Sequence, residues 1–144
     1  MKGFRWVFLI LLCTTILLSS CSKTSQSIQI EGAWARPAQT GANSAVYFVL
    51  SNREQDDRLT GAQSTAANMV QIHATVVDED GTASMQHQEV LDVPAGSILT
   101  FRPGGLHVML MGLNSDLVEG DTIQVTLMFE NYGELTIDVP VENN

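Results

Sequence analysis

Read by its apolar and polar positions, the chain changes character twice. Trp6 to Leu18 is apolar and broken only by Cys13, Thr14 and Thr15, and Ser22 to Ser27 is polar without period. From Ile28 onward, short apolar or alternating runs are separated by turn signals. The runs are Ile28–Trp34, Ser44–Ser51, Leu59–Gln63, Met69–Val77, Ala83–Val90, Ile98–Phe101, the segment around His107, Asp121–Phe129 and Glu134–Val141. Between them lie stretches such as Asp78–Gly81, Pro94–Gly96 and Asn131–Gly133, whose Gly, Pro, Asn and Asp supply the dihedrals that tight turns need. No stretch holds a helical period over ten residues, although Ser64 to Asn68 has room for one helical turn. About eight or nine short strands at this spacing predict an all-β sandwich or barrel, one domain over residues 28–144.

The first twenty residues read differently. Lys2 and Arg5 precede the apolar run, and Ser19 and Ser20 close it, which is the pattern of a secretory signal peptide over residues 1–20. The run is too short for a comfortable membrane span. Leu18-Ser19-Ser20-Cys21 resembles the lipobox of bacterial lipoproteins, in which the Cys becomes the first mature residue and carries lipid. On that reading residues 21–27 are a lipidated Cys21 and a flexible tether. The chain is then exported and lipid-anchored to a bacterial membrane, facing the periplasm or the exterior. An ordinary signal peptide cut nearby would instead leave Cys21 as a thiol.

Charge and cysteine count narrow the chemistry. Cys13 and Cys21 are the two cysteines, so under the lipobox reading the mature domain holds neither disulfide nor free thiol. That excludes a blue-copper centre, a Cys nucleophile and a zinc knuckle. Removing Lys2 and Arg5 takes the formal charge from −9 to −11 and leaves five basic residues. Such a chain has no electrostatic footprint for nucleic acid, and it meets a membrane through its lipid alone. No serine sits in a nucleophile-elbow glycine pattern, so no enzyme is expected.

The remaining candidates are histidines and methionines. His107, Met109 and Met111 fall at i, i+2 and i+4, which puts them on one face of an extended strand. Imidazole with thioether suits Cu(I); equally, methionine is a common core filler. Met69, Gln71 and His73 share a face of another run, and Met85 and His87 share a face of the run that returns after Gly81. A five-residue connection centred on Glu79 would put Met85 opposite His73. A strict two-residue Asp80-Gly81 loop would turn Met85 away, because a one-residue slip flips every side chain. Met69 and Met128 are expected in the core.

His73 is followed by Met85 after eleven residues, then by His107-Val108-Met109 after twenty-one more. This spacing, with Gly32-Ala33-Trp34-Ala35-Arg36, Val93-Pro94-Ala95-Gly96 and Pro103-Gly104-Gly105-Leu106-His107, resembles the PCu(A)C-type periplasmic copper chaperones over residues 28 to 141. The family usually has ten residues in the first gap, so one residue is added in or near the Asp78–Gly81 loop. The resemblance implies a cupredoxin-like Greek-key β-sandwich and one Cu(I) per chain, held by His73, Met85, His107 and Met109. From the faces they share with Met85 and His107, His87 and Met111 are candidates for additional or substitute ligands. It also implies delivery of copper to the copper centre of a respiratory cytochrome c oxidase, with the oxidase copper subunit or a thiol-based assembly factor as partner. The competing expectation is a surface β-sandwich lipoprotein that binds or scaffolds proteins without metal.

Overall fold

The computed structural model describes residues 27–144; the expected signal segment and lipidated Cys21 lie outside the described residues. The alternating runs form β1 (Ile28–Ala35), β2 (Ser44–Asn52), β3 (Asp57–Gln63), β4 (Ala67–Val77), β5 (Ala83–His87), β6 (Leu91–Val93), β7 (Ile98–Phe101), β8 (Leu106–Leu113), β9 (Thr122–Phe129) and β10 (Glu134–Pro140). One sheet is ordered β1-β2-β7-β8-β4-β5 and the other β10-β9-β3-β6. The first half of β2 pairs with β8 (Val46↔Val108), and its second half pairs with β7 (Phe48↔Phe101).

There are ten strands among the described residues, not eight or nine. The expected Ala83–Val90 run ends at His87, and the chain then crosses to the other sheet, where Leu91 and Val93 pair with Leu59 and Asp57 of β3. Burying Val93 completely is what the three-residue strand gains by crossing. Ser64–Asn68 is a turn rather than a helical one: the Ser64 hydroxyl accepts from the Ala66 N–H at 3.2 Å, and Ala67 already belongs to β4. Serine's side chain competes here with helical backbone bonding.

The core lies between the sheets. Val46, Phe48, Leu50, Ile72, Val108 and Leu110 of the larger sheet meet Leu59, Val125, Leu127, Phe129 and Val139 of the smaller one, all buried. Phe48 stacks on Phe101 with ring centroids 4.2 Å apart. Each such side chain contributes about 1.5–3 kcal/mol by leaving water. Met69 departs from expectation: it is 53% exposed, on the outer face of β4. Met128 is half-buried over Gly61, with its Sδ 3.3 Å from the Gln63 amide, and so is packed on the sheet rather than in the core.

β2 breaks the usual rule of one buried face. Val46, Phe48 and Leu50 point inward, yet Ala45 and Tyr47, on the other face, are also buried. Trp34 of β1 covers Tyr47, their ring centroids 4.6 Å apart. The outer face of this sheet is therefore partly covered, and the His107 ring lies next to Tyr47, 6.4 Å away.

Candidate metal centre

Three neighbouring strands bring the candidates together. In β4 and β8 the register sets His73 opposite His107, Gln71 opposite Met109 and Met69 opposite Met111. In β4 and β5 it sets His73 opposite His87 and Thr75 opposite Met85. All lie on the outer face, since partners in register share a side and the period is two. The connection from β4 to β5 is five residues long, Asp78 to Thr82, centred on Asp80 rather than on Glu79. The Gly81 N–H donates to the Asp78 carbonyl at 2.9 Å, and Gly81 takes φ 85°. This is the three-residue hairpin with a left-handed glycine. It keeps Met85 on the His73 face but moves it along to Thr75, which leaves His87 directly across from His73.

His107 is 3% exposed, an unusual depth for an outer-face histidine. Its Nδ1 lies 3.0 Å from the Gly105 carbonyl oxygen. A carbonyl only accepts, so Nδ1 carries the proton and Nε2 carries the lone pair. That Nε2 is buried and has no hydrogen-bond partner. His73 repeats the arrangement with its nitrogens exchanged: Nε2 donates to the Gln71 amide oxygen at 3.0 Å, and the buried Nδ1 is unpartnered. The two rings are 5.8 Å apart, edge to face. A buried, unmet polar atom costs about 1–3 kcal/mol. Both unpartnered nitrogens carry lone pairs on imidazoles that a hydrogen bond from the other ring nitrogen orients, the form in which histidine can ligate a metal.

A cavity of about 310 Å³ opens here, lined by Tyr47, Thr75, Met85, Pro103, His107 and Met109. Tyr47 lies 6.4 Å from the His107 ring. Met109 is half-buried and Met85 is 60% exposed, so the site is closed at the β8 side and open at β5. His87 is exposed, 5.9 Å from His73 between ring centroids, and neither of these two histidines lines the cavity. Met111 is half-buried one row beyond Met109. Burial first, then the imidazoles of His107 and His87, holds the His73 pKa below the ordinary histidine value. Its neutral, ligating form is favoured.

A larger cavity, about 380 Å³, lies on the smaller sheet among Asp56, Asp57, Arg58, Asp92, Pro94 and Glu130. Its most buried acid is already engaged, because Asp57 accepts from the backbone N–H groups of Arg58, Asn131 and Tyr132 at 2.7–2.9 Å. Asp56 accepts from the Ala95 N–H and Glu130 pairs with Arg58. His107, whose Nε2 is unpartnered, lines the smaller cavity, and His73 faces it across the strand pair.

Sequence reasoning missed Tyr47 and the anchoring role of Gln71. Tyr47 sits inside an unbroken apolar run, and its odd-numbered parity against Val46 and Phe48 was the available signal. Among the described residues no three His, Cys, Asp or Glu gather for a metal. The thioethers of Met85 and Met109 line the cavity beside His107, and thioether with imidazole is a soft donor set, suited to Cu(I) rather than to Zn or Mg.

Ten strands in two sheets among the described residues, with histidines and methionines on the outer face of the larger one, define a cupredoxin-like β-sandwich of the PCuAC class. A family model described as "Putative lipoprotein LpqE-like" matches residues 28–141, and the chain belongs to that family. It is 34% identical over 121 residues to "Putative lipoprotein Lxx21020" of Leifsonia xyli subsp. xyli, covering 84% of this chain and 73% of the relative. Among solved structures, the copper-bound PCuAC domain from PmoF2 is similar at 31% identity and TM-score 0.68, covering 82% of this chain and 94% of that one. The solution structure of CuI-DR1885 from Deinococcus radiodurans is similar at 29% identity and TM-score 0.62, with 83% of each chain covered.

Proposed function

We propose that this chain is an extracytoplasmic Cu(I) carrier that binds one ion through His73, Met85, His107 and Met109. The observation that carries the reading is the pair of buried, unpartnered ring nitrogens, His73 Nδ1 and His107 Nε2, on imidazoles whose other nitrogens are fixed by Gln71 and Gly105. Two neutral thioethers beside them complete a soft set without anionic charge. Such a set suits an oxidising compartment, where thiolates would be lost to disulfides. Copper-bound relatives of the same fold support the choice of metal. The lipobox at Cys21 and the lipoprotein naming of the relatives support export and lipid anchoring. Delivery to the copper centre of a cytochrome c oxidase, directly or through a thiol-based factor, is the role proposed for the carried ion.

Titration of the purified protein with Cu(I) against a competing chelator tests the reading. One equivalent should bind tightly. His107→Ala and Met109→Leu should each weaken binding by more than about tenfold, a difference of about 1.4 kcal/mol. Unchanged affinity in both variants, with the β fold retained by circular dichroism, would leave a scaffold protein rather than a carrier.

A further inference from the structure

The row beyond the four proposed ligands pairs Met111, expected from the sequence as an additional or substitute ligand, with a methionine expected in the core. There the register sets Met69 of β4 opposite Met111 of β8, on the face that carries His73 and His107. Met69 is 53% exposed and Met111 is half-buried. They lie on the face opposite Ile72 and Leu110, the residues of the same strands that are buried in the core. Between this row and the histidines lie Gln71 and Met109. Sulfur thus occupies successive outer-face positions of β8, Met111 and then Met109 at the cavity.

Directly opposed residues on antiparallel strands have Cβ atoms about 4.5–5.5 Å apart. Two unbranched thioether side chains on such a pair can close on a single ion. With two neutral sulfurs and no imidazole or carboxylate, the pair suits a soft monovalent d10 ion, which accepts two-coordinate binding. It offers nothing to Zn or Mg.

We infer that Met69 and Met111 form a second, weaker site for Cu(I) or Ag(I), an outer station for an ion entering or leaving the four-donor centre. Its use as a station rests on the proposed function; its capacity to bind a soft ion does not. The test is a titration of the full-length protein, labelled with carbon-13 at the methionine methyls, with Ag(I) followed by NMR. The first equivalent should move the Met85 and Met109 methyls. The second should move Met69 and Met111, at least about tenfold more weakly, since two donors replace four. Exchanging both for leucine (Met69→Leu, Met111→Leu), a volume-conserving change, should abolish the second event and leave the first. If two equivalents move only Met85 and Met109, the outer station is overturned and the four-donor centre stands. If Met69 and Met111 move while Met85 and Met109 do not, the thioether pair is upheld and the proposed function fails instead.

Discussion

His107 and His73 differ in what holds them. The Gly105 carbonyl that fixes His107 is backbone and cannot be mutated away, whereas the Gln71 amide that fixes His73 can. In Gln71→Leu the His73 ring loses its tautomer lock while every proposed ligand remains. Cu(I) affinity should fall about 10–100-fold, the usual cost of losing such an orienting partner. Chelator competition would read the loss, and an unchanged thermal midpoint would separate it from unfolding. The same histidine carries a pH signature. Its folded pKa is lowered, by burial first and then by two neighbouring imidazoles, so the folded state resists protonation more than the unfolded chain does. The stability linked to His73 is therefore fully present above the unfolded value of about 6.5 and is lost as pH falls from there through the folded value. Thermal midpoints of the metal-free protein should drop over this window, and His73→Gln should flatten the drop. Cu(I) binding, for its part, should persist to lower pH than an ordinary histidine ligand allows.

At the scale of elements, β8 and the hairpin from β4 to β5 decide the site. In β8 the alternation of His107, Met109 and Met111 against Val108 and Leu110 was plain in the sequence, and the strand obeys it. The hairpin was legible only in part. Asp78–Gly81 announced a turn, but parity depends on whether two or three residues form the loop, and composition does not separate those cases. β6 was hidden for another reason: three residues are too few to show a period, and only the pairing with β3 identifies them as a strand. Tyr47 was hidden by its apolar neighbours. Because Asp78 and Thr82 still bond across the loop, deleting Glu79 should convert it to a two-residue Asp-Gly turn and leave Met85 opposite Thr75. The deletion should then keep Cu(I) affinity within about threefold, since no donor moves; a collapse in affinity would show that the loop itself positions Met85. Gly112 is less forgiving. It takes φ 64° directly after Met111, and an added Cβ would lie 3.0 Å from the Asn68 amide nitrogen. Gly112→Ala should cost about 1–3 kcal/mol in chemical denaturation.

Across the whole molecule the two sheets divide the labour. The smaller sheet is tied by Asp57, which joins the start of β3 to the turn at Asn131 and Tyr132. Burial works to raise the Asp57 pKa, but the backbone N–H groups of Asn131, Arg58, Tyr132 and Glu130 outweigh it and hold the carboxyl below its usual range. Asp57→Ala leaves those donors unmet and should destabilise the fold by about 2–4 kcal/mol without altering Cu(I) stoichiometry. The exposed Arg58–Glu130 pair on the same sheet contributes little. The larger sheet carries the proposed site, and its strands are not equally free. β4 and β8 have neighbours on both sides, while β5, which brings Met85, is the outermost strand and has one. Over the history of a lineage this is where length can drift. A residue gained between His73 and Met85 would fall in a hairpin at the edge of the sheet, whose outer strand is paired on one side. A residue gained between His107 and Met109 would turn one of them through the sheet into the hydrophobic core, and no descendant could carry both changes off alike.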